Sequence, residues 1–448
     1  MSKSFRPYEP DQTFLMPASL RDWLPADHLA YFISDVVDEL DLWAIMGRYE
    51  GEERGYPPYH PRMMVKVLLY AYCIGVPSSR KIARRLQEDI AFRVLSANNT
   101  PDFRTISDFR KEHLKALSGL FVQVLKLCQE AGLVKLGHVS LDGTKVKANA
   151  SKHKAMSYGR MKEEEAKLEE EVRGLLRNAE EVDEEEDRRY GKDKRGDELP
   201  KELAFRESRL KKIRGAKAAL EERAREEAEG ARAKGKEHPG VPEDREQFNF
   251  TDPESRIMPA PGGKGFVQAY NAQVAVDSAH QVIVACEVTD QPTDKGQGIP
   301  MMERVAANTG ALPLQASADA GFFSTKAVKG LMVMGVEPFI PPDKLRHGAP
   351  PSPPPRGRIP KDLPMVEQMR RKLRTKRGRK LYALRMETVE PVFGQVKQGR
   401  GFRQFLLRGL RKVRGEWGLI CTGHNLLKLF GALRDGPTSG GRLALVHG

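Results

Sequence analysis

Residues 134–144 have the sequence VKLGHVSLDGT and mark the change from a helical to a strand-rich part of the chain. The apolar run Val134–Leu141 is typical of a short strand. We expect this strand to end at Asp142, which places a carboxylate on a rigid element. A later apolar run, Leu314–Ala318, is followed in the same way by Asp319.

Strand signals continue around the second aspartate. Phe266–Val276 and Val282–Val288 are separated by a turn and predict a β-hairpin. Val336–Ile340 predicts a last short strand, and residues 300–308 and 324–334 predict helices between the strands. The fold class that these patterns predict is α/β, with alternating strands and helices that follow a helical N-terminal region.

The N-terminal region, residues 14–135, has apolar residues at helical spacing. Ser78–Arg85 opens a basic helix, and a turn at 98–101 precedes a helix predicted from Thr105 to about Gly132. Basic helices separated by a turn are typical of a helix-turn-helix DNA reader, but a plain helical scaffold explains them equally well. The candidate DNA contacts on the first basic helix are Arg80, Lys81, Arg84 and Arg85.

Composition predicts the remaining organisation. Glu, Lys, Arg and Ala dominate from about residue 160 to 236, which predicts a charged helical hairpin with a break at Tyr190–Pro200. We interpret the hairpin as a solvated arm without a catalytic role. We divide the chain into a helical DNA-binding domain (1–133), a sheet-containing catalytic domain (134–435) and a tail (436–448). The catalytic domain contains a charged helical insertion (155–245) and a Pro- and Arg-rich loop (341–364).

The charge balance favours a polyanionic partner. The 448 residues include 75 Lys and Arg against 61 Asp and Glu, a formal net charge of +14. Nucleic acid and an anionic membrane surface both fit this excess. The sequence has no run of eighteen apolar residues and no apolar signal core near its start, so we expect a cytoplasmic, nucleoid-associated protein without a membrane contact. The four scattered cysteines are expected to be reduced thiols.

A glutamate, Glu390, lies in an otherwise basic stretch near the C-terminus. Glu390 and Lys397 are almost two helical turns apart and share a side of a helix, whereas Arg385 lies about 140° away from Glu390. Proline inside a helix loses a hydrogen bond and clashes with the preceding turn, so Pro391 predicts that the helix starts or kinks close to Glu390. Glu387 is the rival carboxylate, although its spacing to Lys397 fits less well.

Asp142, Asp319 and Glu390 together predict a two-metal site. Phosphodiester cleavage and nucleotidyl transfer use two hard cations about 3.5–4 Å apart. Mg²⁺ takes one or two carboxylates per ion and keeps several waters, so three carboxylates from separate elements are sufficient. Taken singly, each aspartate has an ordinary alternative, because Asp142–Gly143 also suits a turn and Asp319 also suits a cap.

Several motifs in this order resemble the DDE triad of bacterial insertion-sequence transposases. They are Leu141–Thr144, Ala318–Phe322 and the set Tyr382, Arg385, Glu390 and Lys397, which resembles the Tyr-Arg-Glu-Lys signature of one subgroup. Shorter blocks at 14–17, 59–61, 104–110, 251–256 and 265–273 resemble the same subgroup. One departure is that four residues separate Arg385 from Glu390, where the commoner form of the signature has three.

The resemblance implies a ribonuclease-H-like catalytic domain, in which helices flank a mixed sheet. It implies that Asp142, Asp319 and Glu390 bind two Mg²⁺ or Mn²⁺ ions. It also implies that Tyr382, Arg385 and Lys397 contact DNA at the element end, and Arg400 and Arg403 extend that predicted DNA surface.

The resemblance further implies a function. Proteins of this kind bind the terminal inverted repeats of an element, cleave phosphodiester bonds and join the freed 3′-OH end to target DNA. Synapsis of two ends implies a homodimer. The sequence leaves two other functions open: a catalytically silent DNA-binding protein derived from a transposase, and a metal-dependent nuclease without strand transfer.

Two pairs of polar residues have alternative interpretations. His424 and Asn425 lie in an apolar helix, which favours a packing and capping pair over metal ligands. Asn271 and Gln273 alternate on one predicted strand and either approach the metal site or face solvent.

Overall fold

The computed structural model describes residues 19–49, 58–151, 154–190, 201–233, 237–260, 265–343 and 362–435, together with a few isolated positions. The predicted tail, most of the predicted loop at 341–364 and the predicted break after Tyr190 lie outside the described residues. Within those ranges, none of the helices combines the length and the hydropathy that a membrane span requires.

The N-terminal region is helical, as predicted. Its helices are α1 (Leu29–Glu39), α2 (Trp43–Met46), α3 (Pro61–Cys73), α4 (Ser79–Glu88), α5 (Ile90–Leu95), α6 (Phe103–Glu112) and α7 (Leu114–Glu130). The prediction of one helix from Thr105 to Gly132 is wrong, because the chain breaks into α6 and α7 at His113. His113 is buried and its ring contacts Tyr49, so a tertiary contact fixes the non-helical conformation at the break.

The strands are β1 (His138–Lys147), β2 (Ala155–Ser157), β3 (Gln247–Asn249), β4 (Arg256–Pro259), β5 (Phe266–Asp277), β6 (Ile283–Thr289), β7 (Gln315–Ala318) and β8 (Glu337–Phe339). β4 and β6 both pair with β5, and the order then continues through β1 and β7 to β8. β5 is antiparallel to β1 and β6, whereas β1, β7 and β8 are mutually parallel. This mixed sheet confirms the predicted α/β class and is consistent with a ribonuclease-H-like domain.

The prediction that the first strand ends at Asp142 is wrong. β1 continues to Lys147, because the long strand β5 supplies partners as far as Ala269. Asp142 therefore lies in the middle of β1, opposite Val274. Asp319, in contrast, follows β7 directly, as predicted.

Helices cover the sheet. They are α10 (Gly298–Thr309), α11 (Thr325–Val333), α12 (Met365–Arg374), α13 (Lys376–Gly394) and α14 (Leu410–Asp435), with a π-helical turn, Gln395–Gly399, after α13. α13 packs against β1 and β7, and α14 packs against β6, α7 and α3. A single hydrophobic core therefore extends from the N-terminal helices to the sheet, across the predicted domain boundary at residue 133, and that division stays a prediction.

The charged insertion forms an arm of two paired helices, α8 (Tyr158–Tyr190) and α9 (Lys201–Arg232), above the two-stranded sheet of β2 and β3. The arm has a small core of its own, which includes Met161, Leu168 and Leu220. Ion pairs such as Arg206–Glu171 join its helices. The predicted helical hairpin is confirmed for these residues.

The prediction that a helix starts close to Glu390, with Pro391 in its first turn, is wrong, and the alternative of a kink there stays a prediction. α13 begins at Lys376 and includes Pro391 in its interior. Proline has no N–H, so the carbonyl of Glu387 loses the hydrogen bond that it would accept within the helix. Gln281, in the turn between β5 and β6, donates to that carbonyl from Nε2 at 2.9 Å. A tertiary hydrogen bond thus satisfies the acceptor that the proline leaves open.

Asn425 and His424 are buried and form hydrogen bonds to the backbone, which confirms the prediction of a packing and capping pair. The Asn425 side chain accepts from Ile283 N at 2.9 Å and donates to Ile283 O at 2.8 Å. The His424 ring contacts Gln281 O and Gln395 Oε1, both at 2.8 Å. The pair attaches α14 to β6 and to the turn after α13.

Replacing Asn425 with Ala removes both hydrogen bonds to Ile283 and leaves a buried backbone N–H and C=O without partners. We expect the free energy of unfolding to fall by about 2–6 kcal/mol, since each of the two orphaned buried groups costs about 1–3 kcal/mol. Urea denaturation followed by circular dichroism measures the change. Asn99→Ala, at an exposed position, is the control, and an equal effect of both substitutions would contradict this account.

Candidate active site

Asp142 and Asp319 lie beside each other because of the pairing between β1 and β7. Leu141 is opposite Ala318 in this parallel pair, so the residues that follow them are neighbours. Asp142 accepts from Arg385 Nη1 at 2.7 Å and from its neighbour Gly143 N at 2.8 Å. Asp319 caps a short 3-10 helix by accepting from Gly321 N at 2.8 Å. The structure therefore brings the two predicted aspartates together.

The electrostatics of this pair favour a bound cation. Burial raises the pKa of Asp142 to about 7; the Arg385 guanidinium opposes this rise, and the neighbouring Asp319 carboxylate adds to it. Carboxylates close together raise each other's proton affinity unless a positive charge compensates them. A divalent cation would relieve both the desolvation and the repulsion.

Two of the predicted DNA contacts on and after α13 face β1. Arg385 binds Asp142, and its side chain is about as buried as that of its partner. Lys397, in the π-helical turn, donates to Thr144 Oγ1 and to Lys145 O. Burial lowers the pKa of Lys397 to about 8, and the Arg403 guanidinium lowers it further. Tyr382 is half-buried, and burial raises the pKa of its hydroxyl.

Glu390 does not join the aspartates in this structure. Its side chain is exposed, as is that of the rival Glu387. In the described parts of the chain, no group of three or more His, Cys, Asp or Glu side chains is arranged to hold a metal ion. The predicted roles of Glu390 and Glu387 therefore stay predictions.

The two side chains that do come together are of the type that binds hard cations. Asp142 and Asp319 offer carboxylate oxygens, the ligands that Mg²⁺ and Mn²⁺ prefer, and one or two carboxylates per ion are the usual protein contribution to a Mg²⁺ site. Water and substrate phosphate complete such sites. The two aspartates therefore suit the cofactor that the sequence predicted, while the third predicted ligand, Glu390, is exposed.

A third carboxylate, which no sequence motif singled out, lies near this pair. Asp294, in the loop between β6 and α10, accepts from Asn271 Nδ2 at 2.7 Å and from Gln273 Nε2 at 2.6 Å. Both amides are fully buried, so the alternative that they face solvent is wrong. Polar residues alternating in an apolar strand were the available signal, but nothing in the sequence distinguished Asp294 from an ordinary turn residue.

One predicted DNA contact is wrong. Arg400 is buried and donates from Nη1 to Tyr72 O at 3.3 Å and to Ile420 O at 3.0 Å, so it cannot reach DNA in this conformation. The reason is tertiary: Arg400 lies where α3 and α14 meet and supplies donors to their carbonyls. Arg403 is exposed, and its contact with DNA stays a prediction.

The basic face of α4 is exposed. The predicted contacts Arg80, Lys81, Arg84 and Arg85 all lie on it, and Arg84 and Arg85 form ion pairs with Glu88 and Asp89. α4 packs against α5 and α6, so basic helices and a turn are adjacent, as the helix-turn-helix interpretation requires. DNA binding by this face stays a prediction.

Two family models match the chain. Residues 18–112 match a model described as "Transposase domain (DUF772)", and residues 361–430 match one described as "Transposase DDE domain". No curated protein and no solved structure matches the chain. The chain is therefore similar to transposases over these two segments. The second match includes the segment from Tyr382 to Lys397 but neither Asp142 nor Asp319, so it does not test the assignment of those aspartates.

Replacing Arg385 with Gln leaves the half-buried Asp142 carboxylate without its guanidinium partner. Loss of one partner of a buried ion pair costs about 3–5 kcal/mol, and partial exposure reduces this, so we expect destabilisation of about 2 kcal/mol. In the double variant with Asp142→Asn the loss should be smaller than the sum of the single losses. Additive losses in thermal unfolding would show that the two side chains are not coupled.

Proposed function

We propose that the protein is a DNA transposase that cleaves phosphodiester bonds with the help of divalent cations and transfers the freed 3′-OH end to target DNA. The observation that carries this proposal is the meeting of Asp142 and Asp319 on adjacent strands of a ribonuclease-H-like sheet. The segment that packs on these strands is the one matched as a transposase DDE domain. Fold and family match thus support the same chemistry.

The proposed roles of the residues follow from their charges. Asp142, Asp319 and Glu390 would hold two Mg²⁺ or Mn²⁺ ions, which when bound activate the attacking water or hydroxyl and stabilise the leaving oxygen. Arg385 and Lys397 lie against β1 beside the aspartates, where their positive charge can neutralise a DNA phosphate and fix its position. Tyr382 lies one helical turn before Arg385 and would contact the same end.

Glu390 needs a change in its position to complete this site. α13 carries Arg385 and Glu390 on different sides, and only Arg385 faces the aspartates. We propose that binding of DNA and cations moves α13 so that Glu390 joins them. The exposed position of Glu390 also favours a second candidate function, that of a catalytically silent DNA-binding protein derived from a transposase.

The proposed partners are the inverted repeats at the element ends and the target DNA, with a homodimer in the complex that holds two ends together. The excess of 75 basic over 61 acidic residues supports DNA as the partner. This function predicts that the protein is located in the cytoplasm, in association with the nucleoid. A metal-dependent nuclease without strand transfer is the remaining alternative, and joined products of donor and target DNA would exclude it.

Replacing Asp142, Asp319 or Glu390 with Ala should each reduce nicking by at least about 100-fold, because a bound metal ion contributes several kcal/mol to such reactions. The substrate is DNA that carries the segments flanking the coding sequence, with Mg²⁺ or Mn²⁺ present. Glu387→Ala, the rival carboxylate, is the matched control and should leave nicking near the wild-type rate. Equal nicking by all of these proteins would refute the site, and an inactive wild type that still binds the DNA would favour the silent alternative.

Replacing both Arg80 and Lys81 with Gln should reduce the salt dependence of DNA binding. Each lost phosphate contact lowers the slope of log K against log salt by about 0.9, so the pair should lower it by about 2. Fluorescence anisotropy over a salt series measures the slope. Arg400→Gln is the control, because Arg400 is buried: the slope should stay unchanged while the protein loses stability. An unchanged slope in the double variant would show that α4 does not contact DNA.

A further inference from the structure

Asp294 is held by the β5 strand in one orientation. Asn271 Nδ2 donates both to the Asp294 carboxylate at 2.7 Å and to Gln291 O at 3.2 Å. Because both partners only accept, the Asn271 amide cannot be flipped, and its Oδ1 must point elsewhere. Asn271 Oδ1 and Gln273 Oε1 are buried and have no hydrogen-bond partner among the described residues. Both amides therefore donate to Asp294 from their nitrogen atoms.

The Asp294 carboxylate lies between the two segments that carry the predicted metal ligands. A Cβ atom on Gly143 would lie 2.4 Å from Asp294 Oδ1, and one on Gly321 would lie 3.2 Å from Asp294 Oδ2. Gly143 follows Asp142 directly, and the Gly321 N–H donates to Asp319. Glycine at these positions leaves the space that the carboxylate occupies, so Asp294 packs against both segments.

Asp294 is also the nearest acidic partner of Lys145. The Lys145 ammonium lies 3.6 Å from Asp294 Oδ1 and has no hydrogen-bond partner among the described residues. The Asp319 and Asp142 carboxylates attract the same ammonium. Asp142 and Lys145 project from opposite faces of β1. β7 ends at Ala318, whereas β1 continues to Lys147, so β7 does not cover the edge of β1 beyond that point.

We propose that Asp294 is a positioning residue for the divalent-cation site: it holds the Lys145 ammonium away from the Asp142 and Asp319 carboxylates. Without the negative charge of Asp294, Lys145 turns to Asp319 and Asp142 and competes with the cation for their oxygens. The inference rests on the proposed function for the identity of the bound ion. Asp294 thus keeps the Asp142 and Asp319 carboxylates available for that ion although Lys145 lies beside them.

The experiment measures Mn²⁺ binding to the DNA-free protein from the electron paramagnetic resonance signal of free Mn²⁺. Asp294→Asn keeps the size of the side chain and an oxygen that accepts from both amides, but removes the charge. We expect it to weaken Mn²⁺ binding by about 10- to 100-fold, the range found when residues behind metal ligands are changed. Adding Lys145→Met to this variant should restore binding to within a few-fold of wild type. A merely structural role of Asp294 predicts no such rescue.

Asp290→Asn is the matched control. Asp290 lies in the same loop and forms an ion pair of similar burial with Arg256 at 2.8 Å. Its loss should leave Mn²⁺ affinity unchanged. Thermal unfolding of each variant shows whether the fold is intact. If Asp294→Asn does not fold, Lys145→Met alone decides the matter, because removal of the competing ammonium should leave Mn²⁺ binding at least as tight as in wild type.

The outcomes separate this inference from the proposed function. Wild-type affinity in Asp294→Asn, absence of rescue by Lys145→Met, or weaker binding by Lys145→Met alone would each overturn the role of Asp294. Asp142→Asn tests the site itself: if it binds Mn²⁺ as tightly as wild type, or if wild type binds none, the proposed metal site fails and the inference fails with it. Loss of binding in Asp142→Asn together with wild-type binding in Asp294→Asn would refute the inference alone.

Discussion

The parallel pairing of β1 with β7 is the constraint on which the candidate site depends. It places Leu141 opposite Ala318, so the aspartates that follow lie side by side where β7 ends. Two carboxylates in a half-buried position repel each other, and burial of Asp142 adds to the cost of its charge. Arg385 offsets part of this cost by binding Asp142 on the α13 face, while Lys145 lies beside Asp294 on the other face. A divalent ion bound by both carboxylates, as proposed, would relieve the same repulsion.

α14 connects this site to the N-terminal helices. Its residues pack against α3 and α7 on one side and against β6 on the other, within a single hydrophobic core. Trp417 donates from its indole N–H to Gln273 O, and Glu416 accepts from the backbone N–H groups of Leu406 and Leu407. Because buried polar groups cost free energy unless they are paired, the Trp417 bond fixes the position of α14 on the strand that carries Asn271 and Gln273, and the Glu416 bonds attach the segment before α14 to this helix.

Several departures from local rules are compensated by partners far away in the chain. Pro391 lies inside α13 because Gln281 satisfies the carbonyl that the proline leaves without a donor. α6 and α7 separate at His113, which is fixed by contact with Tyr49. Arg400 is a basic residue in a basic segment, but it serves the carbonyls of Tyr72 and Ile420 and not DNA. In each case the local pattern is a poor guide, because at least one deciding partner lies 64 or more residues away in the chain.

The sequence by itself determined the α/β class, the hairpin of β5 and β6, the strand that delivers Asp319 and the helical arm, because periodicity and composition are local properties of the chain. It also predicted that Asp142 and Asp319 belong to one site, and the pairing of β1 with β7 makes them neighbours, while their role stays a prediction. Only the tertiary structure decided that Asp142 lies within a strand, that Glu390 is exposed, that Arg400 is buried and that Asp294 approaches the aspartates. The reason is that strand pairing and helix packing bring together residues more than a hundred positions apart, and no local pattern records which of their side chains will meet.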